Sequence, residues 1–523
     1  VSRNTAAGRP ARSSIVELPP PPAEGQSVGG IEVQRGARWP RNSTRWVAGG
    51  ALLVVVLRLP YLRTPLRSDE GGFLLVASQW HPGSALYGSY WVDRPPLLIA
   101  FYAIADRLDG STALRLMGCG LAFAVVLLAH HLGRSVTRRT YAWPAVLAMA
   151  LLALPYGGAL EVNGELIAAP LVLLGLLASV RAVADPVADR RWRLWATAGA
   201  LGTAAAMVKQ NFLDVLVFGT VLVVAHAWTA DRARGRARRV VTELGALGVG
   251  AVATAAGVVV GAWTRGTTPA GLWDAIVVFR LDASRVIASS ASSATDVRLR
   301  YLLLSMCLSG SVAIGGLFAA HAVRTWRQPL VTATVVLLVW ELLGVLAGGS
   351  YWLHYLVGLV PGLVLAVALI APRPGLLGSA ARRVTACAAI AALVTAPLAL
   401  VVAPPSHAVP PAASWLRRHA KPGDTATLLY GAPNVLQAAG LASPYAELWS
   451  LPVRVRDPRL THLESVLQGP DAPTWLLASH DLATWGVVST SAFAVVSSHY
   501  HAVASVDGYT VYHLRDALPE GER

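Results

Sequence analysis

Four acidic and four basic side chains of this chain stand where a very apolar protein would be expected to avoid charge. The acids are Asp69, Glu70, Glu161 and Glu165, and the bases are Arg94, Lys209, Arg280 and His354. A carboxylate beside hydrocarbon is costly, and one that is kept there suits proton transfer from a hydroxyl or the holding of a specific partner. A guanidinium or ammonium at the same level suits a phosphate. Asp69 and Glu70 adjoin in "SDEGG". Neighbours on a helix point about 100° apart, so one can act as base while the other holds it or binds a ligand. The plainer reading is a helix start, with Ser68 or Asp69 as cap and Glu70 favouring the dipole. Arg94 lies in "DRPPL", where proline keeps the residue before it out of helix and fixes an extended turn. Its plainer role is an ion pair with Asp93.

The remaining candidates divide in the same way. Glu161, Asn163 and Glu165 fall in "LEVNGE", where capping is the simple alternative. Lys209 and Gln210 follow an apolar run in "MVKQNFLD", and a lysine so placed needs an anion or a carboxylate. His354 and Tyr355 in "SYWLHY" read as interface aromatics or as site residues. Arg280, Asp282 and Arg285 can clasp an anion or face water. Cys119, Cys307 and Cys387 all lie in apolar runs and read as small buried hydrophobes. No metal-ligating spacing occurs, so no metal ligand and no cofactor are assigned; a dependence on a divalent ion stays open.

Elements that position these residues follow from composition. Of 523 residues, 54% are hydrophobic and 14% charged, where soluble domains carry about 25% charge. Apolar runs of membrane-spanning length recur, and the chain reads as a polytopic helical membrane protein. Eleven spans are expected, near 46–64, 112–132, 141–158, 166–184, 194–208, 211–229, 241–263, 301–322, 330–347, 355–371 and 384–403. The stretch 207–214 alternatively breaks a single helix, and 97–105 reads as a helix along the membrane surface. The net charge of +15 comes from 44 basic residues, of which only Lys209 and Lys421 are lysine. That bias, with abundant Ala, Gly and Pro, suggests a GC-rich bacterial genome. The arginines gather in alternate short loops, which speaks for the positive-inside rule and against nucleic acid as partner. With eleven spans, this pattern puts the N-terminus in the cytoplasm, the C-terminus outside, and the chain in the bacterial cell membrane. Residues 1–45, with seven arginines against three glutamates and "PPPP", read as a disordered basic tail. Residues 46–403 form the all-α membrane domain. Past 404 acids outnumber bases, ten to eight, and 404–523 read as a small extracytoplasmic α/β domain. In it "SWLRRHAKPGDTATLLYG" reads as helix, turn and strand, and "APNVLQAAG" as a helix. "PTWLLAS" and "FAVVSS" read as strands, and "HAVASVDGYTVYHLR" as a hairpin turning at Asp507-Gly508.

These motifs together resemble a family. Asp69-Glu70-Gly71, Leu86-Tyr87, Arg94-Pro95-Pro96-Leu97, Asn163 with Glu165, "KQN" at 209–211 and "YWLHYLVGLVPGL" at 351–363 are similar to the GT-C membrane glycosyltransferases. Within them, the resemblance is to the branch of protein O-mannosyltransferases and lipid A aminoarabinose transferases, over roughly residues 46–371. It implies a GT-C fold and inverting transfer of a monosaccharide from a polyprenyl-phosphate donor to a glycan, lipid or protein acceptor. Asp69 would then be the base or orient the acceptor hydroxyl, with Glu161 or Glu165 as supporting acid and Glu70 as the competing base. Arg94 would contact the donor phosphate, with Lys209, Arg280 and His354 beside it. Tyr87, Asn163, Gln210 and Tyr355 would face the substrates. The acceptor expected is a cell-envelope glycan or lipid. The competing readings are the same chemistry on a secreted protein, and a lipid or solute transporter without enzymatic activity.

Overall fold

The computed structural model describes residues 1, 41–83, 85–137, 142–229, 235–289, 293–479, 487 and 490–515. Most of the basic tail therefore lies outside the described residues. Residues 41–45 do not belong to it, because they open the first helix.

Helices dominate the membrane part, in the order α1 (Arg41–Arg58), α2 (Ser68–Ser78), α3 (Pro96–Leu108), α4 (Ser111–Val136), α5 (Trp143–Ala153), α6 (Gly164–Ala184), α7 (Ala188–Ala206), α8 (Asp214–Thr229) and α9 (Arg236–Trp263). The chain continues through α10 (Pro269–Trp273), α11 (Phe279–Ser289), α12 (Ser293–Leu308), α13 (Ser311–Thr325), α14 (Pro329–Leu346), α15 (Val360–Ile370) and α16 (Gly375–Val402). Each expected span coincides with one of these helices or a pair of them. Among the described residues six helical segments are long and apolar enough to cross a membrane, counting Leu353–Ile370 as one. The protein is a multi-pass membrane protein.

One span differs from expectation, and one alternative falls away. The run 301–322 is not one rod: α12 and α13 meet at a 64° bend. Gly310 sits at the bend with φ +77°, between Ser309 and Ser311, whose hydroxyls bond each other at 2.8 Å. A glycine flanked by serines frees backbone groups and re-satisfies them locally. Residues 207–213 do not kink a single helix either. They turn the chain back, so that the Trp195 ring of α7 packs on Gly219 of α8. The stretch 97–105 is helical and lies within α3, which starts at the second proline of the Pro95-Pro96 pair.

The C-terminal part holds α17 (Pro411–His419), β1 (Ala426–Leu429), α18 (Pro433–Ala439), α19 (Ser450–Arg456), α20 (Thr461–Gln468), β2 (Trp475–Ser479), α21 (Thr490–His499), β3 (Tyr500–Val506) and β4 (Tyr509–Leu514). The sheet order is β1-β2-β4-β3, with β1 parallel to β2 and the other pairs antiparallel. Asp507 and Gly508 turn the hairpin, both at positive φ, as a two-residue turn requires. "FAVVSS" is not a strand but part of α21. Its buried residues are Ala492, Val495 and Val496, spaced as one helix face rather than alternately. That face covers Leu463, Leu467 and Leu476 in the small core of the domain.

This sheet domain is seated on the segment between α1 and α3. Trp91 N donates to the Ala446 carbonyl at 3.0 Å, Ser443 N to the Tyr90 hydroxyl at 2.8 Å, and Asn434 to the Leu66 carbonyl at 3.1 Å. Gly71 and Gly72 of α2 leave no room for a Cβ against Asn434, Pro433 and the Trp449 ring. Two small residues in succession let the backbones approach.

Candidate active site

At the end of the helix bundle that carries the C-terminal domain lies a cavity of about 800 Å³. Its wall includes Asp69, Arg94, Asn163, Glu165, Lys209, Arg280, His354 and Tyr355, eight of the twelve residues singled out from the sequence. Glu70, Glu161, Tyr87 and Gln210 are not on that wall, and each supports a residue that is or lies behind one.

Asp69 stands in the first turn of α2. Its Oδ1 accepts the Trp449 indole N–H at 3.1 Å. Glu70 points the other way and is 1% exposed. It receives Arg115 at 2.6 Å and Val162 N at 2.8 Å on Oε1, and Arg67 N at 3.0 Å on Oε2. The adjacent carboxylates thus part as the helix turn dictates, one into the cavity and one into the protein. Glu70 reaches back to the residue before the helix, so the cap that starts α2 is neither Ser68 nor Asp69.

The Arg94-Pro95-Pro96 turn is held from three sides. Pro95 is extended at φ −65° and Pro96 opens α3. The Tyr87 hydroxyl donates to the Arg94 carbonyl at 2.6 Å, and Gln210 donates to the Asp93 carbonyl at 3.3 Å. Leu97 N donates to the Met207 carbonyl at 3.0 Å, so the α7–α8 turn is tied to this one. The Arg94 guanidinium lies over the Phe73 ring at 5.5 Å and meets Asp93 at 2.6 Å. Arg280 pairs with the other oxygen of Asp93. Burial alone would raise the Asp93 carboxyl, but Arg280 and Arg94 outweigh it and hold the group below the usual carboxylate range. Asp282 and Arg285 are exposed and pair with each other at 2.9 Å, away from the cavity.

A second charged group comes from α6 and the turn between α7 and α8. Lys209 pairs with Glu165 and lies over the Tyr355 ring at 4.5 Å. His354 stacks on Trp352 and bridges outward to Glu161 at 3.5 Å. Glu161 also faces Arg67 at 3.9 Å. Burial would raise the Glu161 carboxyl, yet its bond to His354 and the charges of His354 and Arg67 bring it below its usual value. Asn163 caps α6 through Leu166 N, while its buried amide nitrogen has no partner among the described residues. That nitrogen is itself buried, so it stands just behind the cavity wall and not open to it.

Sequence reasoning passed over part of the wall. Asp93 entered only as a partner of Arg94, although its place in "DRPP" is the signal that makes it a bridge to a second arginine. Arg298 lies over Trp352 at 4.7 Å and donates to the Ser350 carbonyl at 2.9 Å, with no motif to mark it. Trp449 and Arg454 belong to the C-terminal domain, whose spacing from the first loop carries no pattern. The wall holds five Arg or Lys side chains (Arg94, Lys209, Arg280, Arg298, Arg454) against three carboxylates (Asp69, Asp93, Glu165). It therefore favours an anion. Among the described residues no three His, Cys, Asp or Glu side chains converge as a metal site would need.

No family model matches the sequence, and no curated protein matches it. Solved structures match its shape. The structure of ArnT from Cupriavidus metallidurans bound to undecaprenyl phosphate is similar over 91% of this chain and 98% of that one, with 15% identity and a TM-score of 0.57. The fold is the GT-C fold. The apo oligosaccharyltransferase of Archaeoglobus fulgidus is similar over 89% of this chain and 74% of that one, at 10% identity and a TM-score of 0.53. The oligosaccharyltransferase AglB of the same organism, in complex with an inhibitory peptide and a dolichol-phosphate, is similar over 92% and 76%, at 11% identity and a TM-score of 0.50. The GT-C likeness spans both the helices and the C-terminal domain, since nine-tenths of the chain is covered.

Proposed function

We propose that this protein is an inverting glycosyltransferase. It moves a monosaccharide from a polyprenyl-phosphate donor to a hydroxyl of a cell-envelope glycan or lipid, at the outer face of the cell membrane, with its N-terminus in the cytoplasm. The observation that carries the reading is one membrane-end cavity that combines a carboxylate, Asp69, with a surplus of cationic side chains. Structures of the same fold hold lipids of the class required: one is bound to undecaprenyl phosphate and another to a dolichol-phosphate.

The chemistry follows from the charges. The donor is a phosphodiester with one negative charge. The acceptor oxygen forms a bond to the anomeric carbon while the bond from that carbon to the phosphate oxygen breaks. The electron pair leaves with the polyprenyl phosphate, and the hydroxyl proton passes to the Asp69 carboxylate. One displacement inverts the centre. The phosphate gains a negative charge as it leaves, and fixed cations are worth most where charge develops. Arg94 and Arg280, tied through Asp93, and Lys209, tied through Glu165, are the groups assigned to that charge. Ion pairing fixes their positions before the donor arrives. Asn163 and Tyr355 are assigned to the sugar. The polyprenyl tail stays in lipid because the cavity opens at the end of the bundle.

The test is sugar transfer in membranes carrying wild type or Asp69→Asn, supplied with a panel of labelled polyprenyl-phosphate sugars. Asn keeps the size and loses the base. A folded Asp69→Asn protein should lose about 100-fold or more of the wild-type rate. Full activity in that variant would remove Asp69 from the chemistry. A wild type that consumes no donor but moves lipid or solute across liposomes would overturn the reading as a whole.

A further inference from the structure

The C-terminal domain reaches the cavity at the start of α19, and the residue just before that helix touches Asp69. The Trp449 indole N–H donates to Asp69 Oδ1 at 3.1 Å. Among the described residues it is the one hydrogen-bond donor to that side chain. An indole nitrogen only donates, so the bond requires Oδ1 to act as acceptor and leaves Oδ2 to receive a proton. Its ring is fixed as well. It packs against Phe73 at 5.4 Å and over Gly72, where a side chain would displace it. Phe73 in turn lies under the Arg94 guanidinium, so one aromatic pair links the carboxylate side of the cavity to the cationic side.

The domain itself is anchored against the same loop. Trp91 and Glu447 form a parallel bridge, and Arg456 lies over the Trp91 ring at 4.3 Å while reaching Glu447 at 3.4 Å. These contacts adjoin Asp93 and Arg94 in sequence, and Trp449 is two residues beyond Glu447. The register that seats the domain also sets the indole.

We infer that Trp449 is a positioning residue for the transfer reaction: it orients the Asp69 carboxylate with Oδ2 toward the acceptor hydroxyl, and so makes the C-terminal domain a working part of the catalytic centre. The inference rests on the reading of Asp69 as base. A fixed carboxylate matters because a base rotated off the line to its proton loses most of its advantage. A domain that served only to bind acceptor would not need a donor on the base.

The experiment compares Trp449→Phe, Asp69→Asn and the double variant, using whichever panel donor the wild type consumes. Phenylalanine keeps an aromatic ring and removes the N–H. For Trp449→Phe, kcat should fall about tenfold or more, as for a lost hydrogen bond to a charged group, with KM for donor and acceptor within about threefold. In the Asp69→Asn background the same change should add nothing, because groups acting as a unit are not additive. As a control for ring size, 3-benzothienylalanine placed at position 449 puts sulfur where the N–H was and should show the same loss of kcat. An unchanged kcat in that isosteric variant, with Asp69→Asn inactive, overturns the inference and leaves the base reading intact. A rise in acceptor KM alone also overturns it, making Trp449 an acceptor platform. Retained activity in Asp69→Asn, or no donor consumed by wild type, removes the reading on which the inference stands.

Discussion

Replacing Glu70 by alanine should destabilise the protein, and replacing Arg115 in the same molecule should restore much of what was lost. Glu70 is 1% exposed and Arg115 7%, and their pair closes at 2.6 Å. The same carboxylate takes two backbone N–H donors, from Arg67 and Val162. Alanine at position 70 leaves a buried guanidinium without its counter-charge, a change that costs roughly 3–5 kcal/mol. The backbone donor of Val162 is stranded with it, so the upper end of that range applies. Replacing both charges, as in Glu70→Ala with Arg115→Leu, removes the uncompensated ion, and such double replacements are often close to neutral. The assay is the apparent Tm in detergent at one fixed scan rate, followed by the monodisperse fraction. Glu70→Ala should drop it by roughly 5 °C or more, and the double variant should recover at least half. Asp69→Asn should leave it within about 2 °C, since that carboxylate faces the cavity and keeps an acceptor oxygen for Trp449. If the two single losses simply add in the double variant, the pair is not a coupled buried bridge and the division of labour between the adjacent acids fails.

Two further outcomes follow from the cavity. Asp93 is held below the usual carboxylate range by Arg280 and Arg94, against the effect of burial. A carboxyl lowered by folding contributes stability above its unfolded value near 4, and the contribution is lost as pH falls through the lowered folded value. The Tm gap between wild type and Asp93→Asn should be widest near pH 6 and close below about pH 4; a gap that is constant with pH refutes the pairing. Tyr87→Phe removes the 2.6 Å bond to the Arg94 carbonyl and loosens the turn that presents the guanidinium. Donor KM should rise about three- to tenfold with kcat little changed, in line with roughly 1 kcal/mol for one hydrogen bond. An unaltered donor KM would separate Arg94 from donor binding.

The parts of this molecule that were legible in the sequence are those written locally. Apolar runs produce helices because the hydrocarbon leaves backbone groups no other partner, so every expected span coincides with a helix or, at 301–322, with a bent pair. The hairpin at Asp507-Gly508 was legible because that dipeptide tolerates positive φ. "FAVVSS" misled because three β-favouring residues, Phe493, Val495 and Val496, hide a period that only the longer stretch from Ala492 reveals. The bend at Gly310 was marked by its glycine and serines, and hydropathy averaged across it. At the cavity, the "DEG" and "DRPP" segments drew notice to Asp69, Arg94 and, by adjacency, Asp93. The different fates of Asp69 and Glu70 were not legible, since Arg115 and Val162 lie far along the chain and nothing in residue type shows which carboxylate they claim. Trp449 was out of reach for the same reason, at a separation of 380 residues from Asp69.

That separation also orders events in time. Asp69 emerges early from the ribosome, and its tryptophan partner comes 380 residues later. At about 5–20 residues per second, the first loop waits roughly 20–75 s for the contact. Through that interval Gly71 and Gly72 present a bare backbone surface awaiting Pro433, Asn434 and Trp449. A nascent chain halted before that point would hold its membrane helices without the contact that fastens Asp69, so under the proposed function the site is completed only when the sheet domain docks.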